Sequence, residues 1–245
     1  MSEQKNQHQG YLLLGVALAI GIIVSSFILS QAIKSRNYNS ISVKGLAEKN
    51  IVSNIAVWEP QVQVWSANLS EAYSKIKQDA DRFYNFLLSK GIPKDEITLV
   101  SLENTVTYEK QGYEDNVARK TGYLLIQKFR IESKDVQRIS RISQEASEIL
   151  SAGVELISQP PDYYYNGLEN EKIALLGLAT KDAFRRAEEL AKVAETKVSG
   201  LKSATQGIFQ VTGKHSMEVS DWGIFDTKSI EKTIKCVVSV EFYTK

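Results

Sequence analysis

From Tyr11 to Leu29 the chain carries no charge, and Ser25 and Ser26 are the only clearly polar positions in that run. As a helix rising ~1.5 Å per residue, such a run would span ~28 Å, close to the thickness of a bilayer's hydrocarbon. Gly15 and Gly21 are no objection, because membrane helices tolerate glycine. A helix buried in a soluble core fits less well, since it normally keeps a polar stripe. A cleaved signal peptide is the sharper rival, because Ser30-Gln31-Ala32 has the small-x-small form of a cleavage site. The apolar run exceeds the usual ~7–15 residues, however, and the segment before it is barely basic. The expectation is therefore an uncleaved transmembrane anchor over residues 11–33, with a tail over 1–10 and a polar linker over 34–40. Lys5 and the α-amine lie before the run, and Lys34, Arg36, Lys44 and Lys49 follow it. Positive charge alone would leave the large domain in the cytoplasm.

The remainder, residues 41–245, is expected to form an α+β domain. The whole chain is 43% hydrophobic and 24% charged, enough apolar material for a core without disulfides. Its net charge of +1 leaves no polybasic footprint for nucleic acid. Cys236 is the only cysteine, so no intrachain disulfide forms, and its alternating surroundings predict a buried, inert thiol.

Strand-like alternation marks residues 41–45, 55–65, 97–109, 121–132, 154–166, 200–212 and 231–243. Pro60 interrupts the second of these and predicts an edge position or a bulge. Residues 97–109 and 121–132 read as a hairpin around Gln111-Gly112-Tyr113-Glu114-Asp115-Asn116. Three helices are predicted. One runs from 68 to 90, capped by Asn68 or Ser70 and stopped by Gly91 and Pro93; the second covers 134–151. The third, 168–197, carries Ala179, Ala183, Ala187, Ala191 and Ala194 on one narrow face. The predicted order is β-β-α-β-β-α-β-α-β-β, with strands paired antiparallel and helices on one face of the sheets.

Chemistry is sparse. His8 and His215 have no second histidine or cysteine at metal-ligand spacing, so no metal site is expected. No nucleophile elbow, phosphate loop or dinucleotide fingerprint is present, and neither an enzyme nor a cofactor is the expected reading. Asp182, Arg185, Arg186, Glu188 and Glu189 read as surface ion pairs on the third helix. Aromatic residues raise a different question. Tyr163, Tyr164 and Tyr165 cannot all enter one core from a strand. Trp222 and Phe225 lie in the long loop before the last strand. All five are candidates for core packing or for an interaction surface.

Several segments together resemble the SIMPL-domain family. Tyr164-Tyr165-Asn166-Gly167 leads into Ala179-Thr180-Lys181-Asp182-Ala183-Phe184-Arg185-Arg186-Ala187-Glu188-Glu189-Leu190-Ala191, similar to the family's central signature. Val43-Lys44-Gly45-Leu46-Ala47-Glu48 resembles its opening strand, and Gly91-Ile92-Pro93-Lys94-Asp95-Glu96-Ile97 its turn after the first helix. Asp226-Thr227-Lys228-Ser229-Ile230-Glu231-Lys232 resembles the ending of membrane-anchored members. Trp58-Glu59-Pro60 departs from the family's plain strand. The resemblance implies an α+β fold exported to the bacterial cell envelope, against the charge count. The expected localisation is thus a single-pass inner-membrane protein with its domain outside the cytoplasm. Some members form ring- or channel-like oligomers, and others are linked to stress tolerance. The resemblance supplies no catalytic residues. It therefore implies a self-assembling scaffold, a homo-oligomer tethered to the membrane. The alternative is a peptide- or protein-binding module that uses a sheet edge or the 213–230 loop.

Overall fold

The computed structural model describes residues 2–34, 39–110, 118–218 and 220–245, with side chains described for 15–31 of the first stretch. Residues 35–38 of the expected linker and 111–116 of the expected hairpin turn lie outside the described residues. The fold mixes helices with two antiparallel sheets.

The apolar N-terminal run does form a helix, α1 (Ser2–Lys34). Among the described residues, however, no helix is long and apolar enough to cross a membrane. This overturns the transmembrane anchor expected over 11–33. The described side chains of this helix, residues 15–31, include Gly15 and Gly21. They also include Ser25, Ser26, Ser30 and Gln31.

The chain divides into two compact units. One comprises Met1–Gly45, Thr180–Gln206 and Val238–Lys245; the other comprises Leu46–Ala179 and Gly207–Val237. Three long elements, β1 (Ser40–Val52), α4 (Leu168–Val193) and β10 (Glu231–Thr244), give residues to both.

The larger unit is organised on β5 (Ala118–Ser133). One flank of β5 pairs with β4 (Ile97–Lys110) as the predicted hairpin. The other pairs with β2 (Ile55–Trp58) and β3 (Gln61–Ser66) in succession. The break between them falls at Glu59 and Pro60, where the Phe129 N–H donates to the Pro60 carbonyl at 3.0 Å. Pro60 thus interrupts the strand, as its missing N–H requires, while its carbonyl keeps the ladder going. Two short strands, β6 (Leu156–Ile157) and β7 (Asp162–Tyr164), extend the sheet beyond β3 and β2. They replace the single strand predicted over 154–166, because Pro160 and Pro161 cannot donate to a ladder.

Helices α2 (Leu69–Ser89) and α3 (Val136–Glu145) share one core with this sheet. Asn68 caps α2, its side-chain oxygen accepting from the N–H groups of Ser70 and Glu71. Ala72, Ile76, Ala80, Phe83 and Leu87 form the buried face at helical spacing. Phe83 meets Trp58 and Phe129 edge-on, at 6.1 and 5.0 Å between ring centres. The larger unit also holds β9 (Gln210–Gly213), paired antiparallel with the first residues of β10.

In the smaller unit, β8 (Val198–Gln206) pairs antiparallel with β10 from Val238↔Gln206 to Thr244↔Val198. The predicted strand over 200–212 is split at Gly207 into β8 and β9. From Thr180 onward α4 buries Ala183, Ala187 and Ala191, the narrow alanine face, and sets Phe184 edge-on to Phe242 at 5.5 Å.

Candidate functional site

The loop between β9 and β10 is where structure and chemistry converge. Its two ends come together because Gly213 and Lys232 are partners across the β9–β10 ladder. A Cβ at Gly213 would stand 2.8 Å from Ser229 Oγ and 3.2 Å from Asp226 Oδ2. Glycine there leaves room for residues 226–229 to lie on the ladder. The Val211 N–H donates to the Ile224 carbonyl at 2.7 Å, and the Asp226 N–H to the Val211 carbonyl at 2.8 Å. The returning limb of the loop is thus stitched to β9.

Three long side chains from the ladder hold the rest. Lys232 Nζ donates to the Asp226 carbonyl at 2.6 Å, Lys235 Nζ to the Ser216 carbonyl at 3.2 Å, and Gln210 Nε2 to the Ser220 carbonyl at 2.6 Å. Lys232 is only 2% exposed. Burial pushes its ammonium below the ordinary lysine value, against the pull of Asp226 and Asp162.

Asp226 folds back on its own turn. Its Oδ1 accepts from the N–H groups of Lys228 and Ser229 at 2.7 and 3.2 Å. Asp162, at the start of β7, ties the loop to the sheet. Its Oδ1 accepts from Thr227 Oγ1 at 2.6 Å and pairs with Lys228 Nζ at 2.7 Å, while the Tyr163 N–H donates to the Thr227 carbonyl at 2.7 Å. Burial works upward on both carboxyls but is outweighed. Lys228 and Thr227 hold Asp162 below the ordinary value, and Ser229 with the turn N–H groups does so for Asp226.

A pH dependence follows from those directions. Carboxyls depressed in the folded state contribute stability that is present above their ordinary pKa and is lost as pH falls through the folded one. The expected result is loosening of the 214–230 loop below about pH 4, the ordinary carboxylate range, while the α2–α3 core stays closed. Amide hydrogen exchange across a pH series, corrected for intrinsic rates, checks it. Equal protection of the loop at pH 3 and pH 7 would refute it.

What the latch presents is apolar. Met217 and Trp222 are each 93% exposed, and Phe225 and Ile208 are more than half exposed. Gly223, at φ +86°, turns the chain directly after Trp222 and lies close against Ile208. The predicted candidates therefore divide. Trp222 and Phe225 are surface residues of the loop. Tyr163 is buried in the core beside Ala56, its register partner, which removes it from the expected surface. Tyr164 and Tyr165 are half-buried, and the Tyr165 hydroxyl donates to Glu171 Oε1 at 3.3 Å. Cys236 is fully buried and burial raises its thiol pKa. β4 supplies a second surface: among the described residues it pairs only with β5, and Leu99, Val100 and Leu102 on it are exposed.

Residues 41–242 match the SIMPL family, described as protein of unknown function (DUF541). The chain belongs to the SIMPL family. Among curated proteins no relative matches it. The resemblance read from four separate segments is thus one continuous SIMPL domain. Its ending, Asp226 to Lys232, is the segment that builds the latch.

Lys232 and Asp162 were not among the residues expected to matter. A signal for Lys232 was nonetheless present in the sequence. Ile234, Cys236, Val238, Val240 and Phe242 are all buried on one face of β10, and Lys232 is in phase with them. A lysine in the buried register of a strand needs a partner, and here the partner is a loop carbonyl.

Proposed function

We propose that this SIMPL chain is a protein-interaction domain of the bacterial cell envelope, acting by binding rather than catalysis. Its contact element is the 214–230 loop, and its first partner is a second copy of itself. The observation that carries the reading is a tryptophan and a methionine, each 93% exposed, on a backbone latched to the sheet. Tryptophan and methionine are enriched at interfaces. A contact loop held to its ladder at Ser216, Ser220 and Asp226 also loses less entropy on binding. Self-association and envelope placement draw support from the family resemblance.

Light scattering of the full chain over a concentration series tests this. Wild type is expected to self-associate. The variant carrying Trp222→Ala and Met217→Ala is expected to shift to monomer with its melting temperature unchanged, since both side chains face water. A monomeric wild type at every concentration, or equal assembly of the variant, would rule out self-association through this loop. A second reading, strand addition by a peptide along β4, is favoured by the exposed apolar residues on that edge strand.

A further inference from the structure

The smaller unit contains a groove unrelated to the latched loop. It is shallow and open to solvent, with a volume of about 620 Å³. The floor is apolar: Val43 of β1 with Leu190 and Val193 of the last turns of α4. Leu190 is 53% exposed and Val193 is 85% exposed, so this apolar surface is open to solvent.

The rim is cationic. Lys44, Arg185 and Arg186 line the groove against one carboxylate, Glu189. Arg185 and Arg186 share a further carboxylate, Asp182, at 3.4 and 2.8 Å. Counting Asp182, three cations face two anions, and the site keeps a net positive charge. Asp182 engages Nε of Arg186 and one terminal nitrogen of Arg185. A guanidinium has five N–H donors, so each retains donors for a second acceptor.

We infer that this groove binds a free amphipathic anion: a single aliphatic chain with a carboxylate head. The chain lies on Val43, Leu190 and Val193, and the head meets Lys44 and the two arginines. An uncharged amphiphile would leave the rim unmatched. A small inorganic anion would leave the floor exposed to water. The charge of the rim and the apolarity of the floor therefore select the same class of molecule together.

Calorimetric titration of the full chain with sodium dodecanoate, kept below its micelle concentration, tests the assignment. Saturable binding is expected, with no comparable heat from inorganic phosphate and weaker binding of dodecyl maltoside. Val193→Ser is expected to weaken dodecanoate about tenfold, by loss of apolar contact. Lys44→Gln combined with Arg186→Gln is expected to weaken it by roughly two- to fivefold for each charge removed. These side chains are at the surface, so the variants are expected to fold, which the melting temperature verifies. Unchanged affinity in both variants would place the ligand elsewhere, for instance on the exposed apolar surface of α1, and would overturn the proposal. So would equal affinity for dodecyl maltoside, absence of dodecanoate binding, or capture of phosphatidylglycerol vesicles without dodecanoate binding.

Discussion

Phe83→Ala is expected to destabilise the larger unit by about 3–5 kcal/mol, the usual cost of deleting a buried aromatic ring. Phe83 is fully buried, and it joins layers of the core that are distant in sequence. Trp58 comes from β2, Phe129 from β5 and Phe83 from α2, and both neighbours present edge-on geometry to the Phe83 ring. Edge-on aromatic pairs add about 0.5–1.5 kcal/mol beyond their buried area. The cavity would open between helix and sheet, where the backbones of both are fixed by their own hydrogen bonds and cannot collapse far. For a domain of about 150–250 residues, each kcal/mol moves the melting temperature by about 2–4 °C. Phe83→Leu, which keeps much of the apolar volume but loses both edge-on ring contacts, is expected to cost about 1–3 kcal/mol, less than the alanine variant. Thermal unfolding of the two variants checks the pair. Similar melting temperatures for wild type and Phe83→Ala would show that the ring is not packed as described.

Phe83 also shows why much of the fold was legible in the sequence. It sits at helical spacing from Ala80 and Leu87, between an asparagine cap and a glycine–proline stop, so periodicity and capping agree locally. The hairpin of β4 and β5 was legible for the same reason, because alternation and turn residues coincide. The strand breaks were only partly legible. Pro60 and the Pro160-Pro161 pair announce an interruption, but Gly207 does so weakly, because its effect depends on the closeness of the neighbouring strand. A Cβ there would meet the Val237 carbonyl at 3.0 Å. The N-terminal helix was legible as a helix, whereas its reading as a membrane span was not upheld. The latch was the least legible part. Asp162, Gly213, Asp226 and Lys232 are spread over about seventy residues, and their relation is created by strand pairing. Sequence reasoning found the exposed aromatics of the loop but not the groups that hold them in place.

Those holding groups make Lys232→Met the more informative experiment. Methionine conserves much of the length and apolar stem of lysine while removing the three donors of the ammonium. The Asp226 carbonyl then loses a charge-assisted partner at a partly buried site, expected to cost about 1–3 kcal/mol. The loss is expected to be local. Amide exchange at Val211 and Asp226, whose N–H groups stitch the loop to β9, should rise, and exchange within α2 should not. An opposing contribution partly offsets the loss. Burial lowers the Lys232 pKa, so the unfolded chain binds that proton more tightly than the folded one. This cost of holding the charge is present below the folded pKa and disappears as pH rises through it towards 10.5, the ordinary lysine value. The variant does not bear it at any pH. The acid side moves the other way. The Lys232 charge helps to depress both Asp162 and Asp226, so their folded pKa values rise when it is removed. Loosening of the loop is therefore expected to begin at higher pH in Lys232→Met than in wild type. If the variant's loop protection matched wild type at neutral pH and its acid onset were unshifted, Lys232 would not be the latch. A loop that loosened together with α2 would instead make Lys232 a residue of the global core.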